Sequence, residues 1–208
     1  MNTNPWMNIS LSDYENHMSL EDIKQLQKLN YIMKEQFEVF PVDDVMILGV
    51  AGGNGLEHID VEKYHHIYGV DINEQYLLEV KNRYKDLGDA LEMLCVDLSK
   101  DVHMLPKTEL LIANLLIEYI GYDSFLNVVK HTCPGVVSCV IQINESDEFV
   151  SDSPYLHVFD RLEEIHQQME SDKLSDTMKS IGYEKIGEKE YALPNGKKFV
   201  RLDYNSAI

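Results

Sequence analysis

The sequence predicts an α/β protein with a seven-stranded sheet, in which five parallel strands are followed by a C-terminal antiparallel hairpin and helices cover both faces. Short apolar runs alternate with amphipathic segments between residues 45 and 143, which is typical of right-handed crossovers between parallel strands. Pro194-Asn195-Gly196 separates two extended segments, as in a hairpin. Four of the apolar runs end in polar or glycine residues, and ligands bind at the carboxyl ends of such strands.

The amino-terminal part predicts one helix after an irregular start. Residues 1–18 are polar and show no periodicity. Ser19-Leu20-Glu21-Asp22 fits a capping box, and apolar residues then recur at three- and four-residue steps until Pro41, which predicts a helix ending before that proline. We therefore expect an N-terminal helical lid segment and helix over residues 1–40, and a main domain over residues 41–208.

The main domain reads as alternating strands and helices. The predicted strands are 45–48, 67–70, 91–96, 110–113 and 136–143, followed by a hairpin of 183–191 and 198–204. The predicted helices are 56–61, 74–86 with Asn73 as its cap, 124–132 and 156–181 with Gly182 at its end. A polar loop over 144–154 is long enough to suggest a functional role.

The composition excludes several classes of partner. Eighteen basic residues stand against 36 acidic ones, for a formal net charge of −18, so phosphate backbones and anionic membrane surfaces are disfavoured. The longest apolar stretch, 110–120, is far short of a membrane span. The three cysteines lack zinc-site or disulfide spacing, and no metal site is expected. We expect a soluble, cytoplasmic protein.

A glycine cluster follows the first predicted strand, at residues 49–55. It lacks the Lys-Ser or Lys-Thr of a phosphate-binding P-loop, and its spacing does not fit the G-x-G-x-x-G dinucleotide fingerprint. What remains is a series of small residues at alternate positions, Gly49, Ala51, Gly53 and Gly55. Such residues let the backbone turn sharply and approach a ligand closely.

From residue 45 to residue 205 the chain resembles the class I S-adenosylmethionine-dependent methyltransferases, which implies a Rossmann-like sheet and S-adenosylmethionine as cofactor. The family's acid at the end of the first strand is replaced by Gly49, and Asn54 or Glu57 could substitute for it. The resemblance implies that Asp71 binds the ribose hydroxyls and Asp97 the adenine, with Leu98 nearby. The implied cofactor-binding residues are Gly49, Ala51, Gly53, Asn54, Gly55, Asp71, Ile72, Asp97, Leu98 and Asn114.

Methyl transfer from a sulfonium is an in-line displacement that needs positioning and exclusion of water, and a general base where the acceptor carries a proton. The candidates for the base are His17, Glu118, Tyr119 and His157. In the family that the chain resembles, an amino-terminal segment often folds over the cofactor. The candidates for such a lid or for the acceptor pocket are therefore Tyr14, His17, Met18 and Tyr119.

The sequence thus predicts a methyltransferase acting on a small molecule, with neither nucleic acid nor membrane as partner. The alternative is a non-catalytic S-adenosylmethionine-binding or interaction protein on the same fold. The sequence identifies neither the acceptor nor the methylated atom. It also leaves open whether the protein is a homodimer, because the first helix could cover the sheet or pair with a second copy. Residues 145–176 hold ten acids and two bases, which favours a neutral or cationic acceptor.

Overall fold

A computed structural model describes residues 4–144 and 155–207. The amino-terminal segment contains a 3₁₀ turn over Pro5–Asn8, helix α1 over Leu11–Ser19 and helix α2 over Gln25–Val39. The expectation of an irregular start was wrong, and so was the capping box at Ser19, which is the last residue of α1. The helix is capped at Ser10 instead, whose hydroxyl accepts the Asp13 backbone N–H at 3.1 Å and donates to the Asp13 carboxylate at 2.8 Å.

The predicted seven-stranded sheet is confirmed. The strands are β1 Asp44–Leu48, β2 His66–Asp71, β3 Leu91–Cys95, β4 Leu110–Asn114, β5 Val136–Ile143, β6 Tyr183–Ala192 and β7 Lys198–Ser206. Their order is β3-β2-β1-β4-β5-β7-β6. The first five strands pair in parallel, and β7 is antiparallel to both β5 and β6.

Alternating side chains of the strands build a separate apolar layer on each face of the sheet. Met46 and Leu48 pack in the layer that contains helix α4, Ile117–Thr132. Val45 and Ile47 pack in the opposite layer, with residues of α2 and of helix α3, Glu74–Arg83. Helices therefore cover both faces, as predicted, because each strand is buried on both sides.

Several predicted helix bounds need correction. Only a 3₁₀ turn over Leu56–His58 replaces the helix predicted for 56–61, and α3 ends at Arg83 rather than at residue 86. Helix α4 begins at Ile117, seven residues before the predicted start, and contains a break at Gly121, whose φ is 76°. The prediction of Asn73 as the cap of α3 is confirmed, because its side chain accepts the Gln75 and Tyr76 N–H groups.

The long helix predicted for residues 156–181 was wrong. Two 3₁₀ turns, Leu156–Val158 and Asp160–Glu164, precede helix α5, which covers only Ser171–Lys179. Phe159 and Leu162 pack against Ile9 of the amino-terminal segment, whereas Leu174 and Met178 join the main core beneath α4. One straight helix cannot reach both sites. The predicted polar loop lies outside the described residues except for Asn144.

No helix in the described ranges is long and apolar enough to cross a membrane.

Candidate functional site

A cavity lies where the carboxyl ends of β1 to β4 meet. In the sheet register, Leu48 of β1 stands opposite Val70 and Ala113, so the strand ends are level and the residues that follow them converge. The cavity holds about 680 Å³ of free space with its mouth included, within the range of small-molecule sites. Its lining includes Gly49, Ala51, Asp71, Ile72, Asp97, Leu98, Asn114, Tyr14 and Tyr119 among the predicted site residues. We call it the strand-end cavity.

Asp71 fixes two neighbouring segments of this cavity. The residue is 9% exposed, and its carboxylate accepts the Ala51 N–H at 3.0 Å and the Asn73 N–H at 2.9 Å. Burial raises the pKa of Asp71, and the backbone N–H groups of Asn73, Ala51 and Ile72 oppose that shift. A carboxylate has about four acceptor positions. Asp71 can therefore hold the glycine loop in place and still accept two hydroxyl groups from a ligand.

Asp97 offers the second carboxylate of the strand-end cavity, two residues beyond β3. One of its oxygens accepts the Ser99 N–H at 3.0 Å, and the other pairs with the Lys100 ammonium at 2.6 Å. Leu98 and Ile72 also line the cavity and supply apolar surface beside the two carboxylates. The two carboxylates and their apolar neighbours suit a ligand in which a flat ring with polar groups at its edge is joined to a sugar-like diol.

The glycine loop has two sides with different tasks. Gly49 and Ala51 line the strand-end cavity, and both have positive φ, at 66° and 46°. Gly53 and Gly55 do not line it. A Cβ atom on Gly53 would meet the Tyr84 ring at 2.7 Å, and one on Gly55 would meet Met33 Cβ at 2.5 Å. These two glycines let the loop pack against the helices behind it.

Neither substitute proposed for the missing acid at Gly49 reaches the strand-end cavity. The Asn54 side chain donates to the Leu26 carbonyl at 2.9 Å and accepts from Asn30 at 3.0 Å. Glu57 accepts the Gly55 N–H at 3.0 Å and is not among the described residues that line the strand-end cavity. A third, smaller cavity along residues 49–52 is lined by one carboxylate from the described residues, that of Glu15 in α1.

The amino-terminal segment lies over the glycine loop and the strand ends. We call residues 4–19 the lid. The Asn73 side chain donates to the Trp6 carbonyl at 2.9 Å, and the Tyr76 hydroxyl donates to the Ile9 carbonyl at 2.9 Å. Arg83 of α3 forms two hydrogen bonds with the Glu15 carboxylate, at 2.5 and 3.0 Å. Three separate attachments therefore hold the lid on the element that follows β2.

A second cavity of about 590 Å³, mouth included, shares a wall with the first. We call it the inner cavity. Trp6, Tyr14 and Tyr119 line both cavities. The Trp6 ring stands edge-on to Tyr14 and to Tyr119, with centroids 5.8 and 5.0 Å away. Leu115 also lines both cavities, and the inner cavity is otherwise lined by His17, Met18, Gln25, Glu118, Gln142, Phe159, Leu162 and His166.

Glu118 is the buried acid of the inner cavity. It is 2% exposed, and one carboxylate oxygen accepts the Gln142 backbone N–H at 2.8 Å. The other oxygen, Oε2, is buried and has no hydrogen-bond partner among the described residues. Burial raises the pKa of Glu118 to about 7, and the backbone N–H groups of Gln142 and Glu118 oppose that rise. The Glu118 carboxyl group can therefore gain or lose its proton near neutral pH.

The other candidate bases are placed differently. Burial and then the nearby Lys197 ammonium lower the pKa of His17 to about 4, so its imidazole is neutral at pH 7. Burial raises the pKa of the Tyr119 hydroxyl, which keeps its proton. His157 is 92% exposed at its side chain, lies 3.4 Å from Asp160 and lines neither cavity. Its role as a base stays a prediction that the geometry does not support.

Asn114 lines the strand-end cavity, but its amide belongs to a buried network. It exchanges two hydrogen bonds with Gln36 of α2, at 2.9 and 3.0 Å. Gln36 also donates to Ser138 at 2.9 Å, and Ser138 donates to Asp203 at 2.5 Å. This network positions the end of β4 from behind. The Asn114 side chain is thus used in holding α2 to the sheet.

Sequence reasoning missed several residues that line the two cavities. They include Asn4, Trp6, Tyr76 and Ser99 in the first cavity, and Gln25, Gln142, Phe159, Leu162 and His166 in the second. Trp6 carried one signal, since it is the single tryptophan of the chain and lies in a polar segment. The others are brought in by tertiary packing, for which the sequence gives no local pattern.

Neither a protein-family model nor a curated protein matches the chain. Solved structures do match its fold. The magnesium protoporphyrin IX methyltransferase of Synechocystis PCC 6803, with bound S-adenosylmethionine, shows a TM-score of 0.69 at 10% identity, over 98% of this chain and 94% of its own. The N-methyltransferase NodS of Bradyrhizobium japonicum WM9, in complex with S-adenosylhomocysteine, shows 0.67 at 10% identity, over 99% and 100%.

The fold of an enzyme named for a different reaction matches with a similar TM-score. The [4+2]-cyclase SpnF shows a TM-score of 0.67 at 9% identity, over 89% of this chain and 82% of its own. Identities this low show the fold alone, and a shared fold does not fix the reaction.

Proposed function

The chain has the class I methyltransferase fold, and we propose that it is an S-adenosylmethionine-dependent methyltransferase acting on a small molecule. One observation carries the proposal: two cavities at the carboxyl ends of the strands share a wall of three aromatic residues, Trp6, Tyr14 and Tyr119. A transferase that joins two small molecules needs two such sites, with the reacting atoms at their common boundary.

The strand-end cavity fits the cofactor. Asp71 has acceptor positions left for the two ribose hydroxyls after its bonds to the Ala51 and Asn73 N–H groups. Asp97 would accept a hydrogen bond from the amino group of the adenine, with Ile72 and Leu98 as apolar neighbours of the ring. Gly49 and Ala51 allow the backbone to approach the amino-acid end. When bound, the cofactor supplies a methyl group on a positively charged sulfur.

The inner cavity would hold the acceptor. Its walls combine apolar and aromatic side chains with the polar groups of glutamine, histidine and glutamate residues, which could orient a small molecule. Tyr14 and Tyr119, whose hydroxyls keep their protons because burial raises both pKa values, close the boundary without adding charge. The task of these residues is to orient the acceptor in line with the methyl group and to exclude water.

The charge of the molecule supports a small acceptor rather than a nucleic acid. The net charge of −18 repels phosphate backbones. We also place the protein in a reducing compartment, the cytoplasm. Cys95 and Cys133 are exposed free thiols, and Cys139 is a buried one, a state typical of that environment.

Transfer of a labelled methyl group tests this function. The purified protein is incubated with methyl-tritiated S-adenosylmethionine and, separately, with small-molecule, RNA and protein fractions of a cell extract. We expect label in the small-molecule fraction and none with heat-denatured protein. Label confined to RNA or protein would contradict the proposed acceptor class. Cofactor binding without any transfer would favour the alternative, a non-catalytic cofactor-binding protein.

A further inference from the structure

The inner cavity contains one acidic group whose hydrogen bonding is incomplete. Glu118 Oε2 is buried and lacks a partner among the described residues, while the other carboxylate oxygen is held by the Gln142 N–H at 2.8 Å. An unpaired buried carboxylate oxygen costs free energy. Such a group is explained if a ligand supplies the missing donor when it enters the cavity.

The inner cavity, which Glu118 helps to line, suits a cationic donor. Trp6, Tyr119 and Phe159 give the cavity aromatic faces, which attract ammonium groups. None of the described lining residues is a lysine or arginine. The two lining imidazoles, His17 and His166, are neutral at pH 7, because burial and then Lys197 lower the pKa of each to about 4. Lys197 itself is engaged with other residues and is not among the lining residues.

We propose, resting on the methyltransferase function above, that the acceptor is a small amine and that Glu118 Oε2 binds its ammonium group and takes one of its protons.

The step balances in atoms and charge. The ammonium R–NH₃⁺ gives one proton to the Glu118 carboxylate and becomes R–NH₂. The nitrogen lone pair forms the new bond to the transferable methyl carbon, and the broken carbon–sulfur bond leaves its electron pair on sulfur. The products are a neutral thioether and R–NH₂⁺–CH₃. The carboxyl proton then leaves to water as the cavity opens.

A hydroxyl acceptor would also supply a donor, but burial works against it. A phenol has to become an anion, and burial raises its pKa, as it does for Tyr14 and Tyr119 in these walls. An ammonium has to become neutral, and burial lowers its pKa. A carboxyl group that titrates near neutral pH can therefore deprotonate a buried amine far more readily than a buried phenol.

Matched pairs of small probes test the inference. Amines and alcohols with the same carbon skeleton, such as benzylamine with benzyl alcohol and phenethylamine with phenethyl alcohol, are titrated in the presence of saturating S-adenosylhomocysteine and followed by ligand-detected NMR. We expect the amine to bind at least about ten-fold more tightly in the pairs that fit, since its charge-assisted hydrogen bond is stronger than the neutral hydrogen bond of the alcohol. Amines that bind no better than their alcohols, or no binding by any amine, would overturn the inference.

A variant pair locates the effect. Glu118→Gln removes the charge and should abolish the preference for amines, whereas Glu163→Gln, an exposed residue of the 160–164 turn, should keep it. A preference for amines that survives in Glu118→Gln would also overturn the inference. Should that variant fail to fold, the wild-type comparison of amine and alcohol decides alone. Binding of S-adenosylhomocysteine is measured in every sample, because its absence in the wild type defeats the proposed function, whereas its presence without amine preference defeats only this inference.

Discussion

At the scale of single residues, Asp71 connects the fold to the cofactor. Its carboxylate holds the Ala51 and Asn73 N–H groups at 3.0 and 2.9 Å while facing the strand-end cavity. Asp71→Asn keeps the shape of the side chain and removes its charge and one acceptor. We expect the affinity for S-adenosylhomocysteine to fall by about ten- to a hundred-fold, as for the loss of hydrogen bonds to a charged group.

Calorimetry on the two proteins measures this loss. Asp86→Asn makes the same chemical change at an exposed position beyond α3 and should leave the affinity unchanged. Equal affinity of Asp71→Asn and the wild type would place the ribose site elsewhere.

The burial of Glu118 also leads to a prediction about the pH dependence of stability. Burial raises its pKa from 4.5 to about 7, so the native state binds the proton more tightly than the unfolded chain does. Its stabilising contribution is therefore fully present below pH 4.5 and is lost as the pH rises through 7. Glu118→Gln stays neutral at every pH. We expect the free energy of unfolding of this variant, relative to the wild type, to increase by about 3 kcal/mol between pH 4.5 and pH 8.

Urea unfolding at several pH values measures that difference. Since other carboxylates titrate equally in both proteins, they cancel in the comparison. Glu163→Gln should track the wild type across the range. A Glu118→Gln difference that does not vary with pH would show that the carboxyl group titrates normally.

At the scale of elements, the glycine loop is fitted to the helices behind it. Gly55 has φ of 96°, and a Cβ there would meet Met33 of α2 at 2.5 Å. Gly196, in the turn of the hairpin, also has a positive φ, 80°, but open space around it. We expect Gly196→Ala to cost about 1–2 kcal/mol from backbone strain alone. Gly55→Ala should cost about 2–4 kcal/mol, because overpacking adds to that strain.

Chemical denaturation of the two variants measures the cost of backbone strain alone and the cost of strain with overpacking. Equal losses would mean that the loop does not depend on its contact with α2. A Gly55→Ala protein as stable as the wild type would contradict the packing itself.

The lid is attached to α3 by the Arg83–Glu15 pair. The two side chains are 36% and 23% exposed, so we expect their pair to contribute about 1 kcal/mol or less. Arg83→Met should therefore raise amide hydrogen exchange in α1 by up to about five-fold. Arg161→Met, which breaks an exposed pair with Glu164, is the control and should leave α1 unchanged. Exchange in α1 that is the same in all three proteins would show that the lid is held without Arg83.

At the scale of the whole molecule, the sheet could be predicted because each strand leaves a local trace. β5 is rich in valine and isoleucine and is buried over residues 137–141, and its predicted bounds, 136–143, are those of the structure. The hairpin was predicted from its turn and from alternation in β7. Asp71 and Asp97 were found for the same reason, since they follow predicted strands directly. Their adjacency needs only the parallel topology.

What could not be predicted depends on tertiary packing. α1 is polar overall and carries only the Ser10–Asp13 cap as a local signal. The apolar residues of 156–181 match one helical face, yet Phe159 and Met178 belong to two different clusters. Glu118 was a candidate base, but the helix that carries it was predicted to begin only at residue 124, so its contact with β5 could not be predicted. Its role depends on the Gln142 N–H and on the residues that the lid contributes.

The central claim, a cofactor site at the strand ends, is tested most directly by calorimetry of the full chain with S-adenosylhomocysteine and, in parallel, with NAD⁺. The Asp71 and Asp97 geometry and the spacing of the glycine loop predict saturable binding of S-adenosylhomocysteine at one site and no binding of NAD⁺. Binding of NAD⁺, or no binding of S-adenosylhomocysteine, would contradict the account.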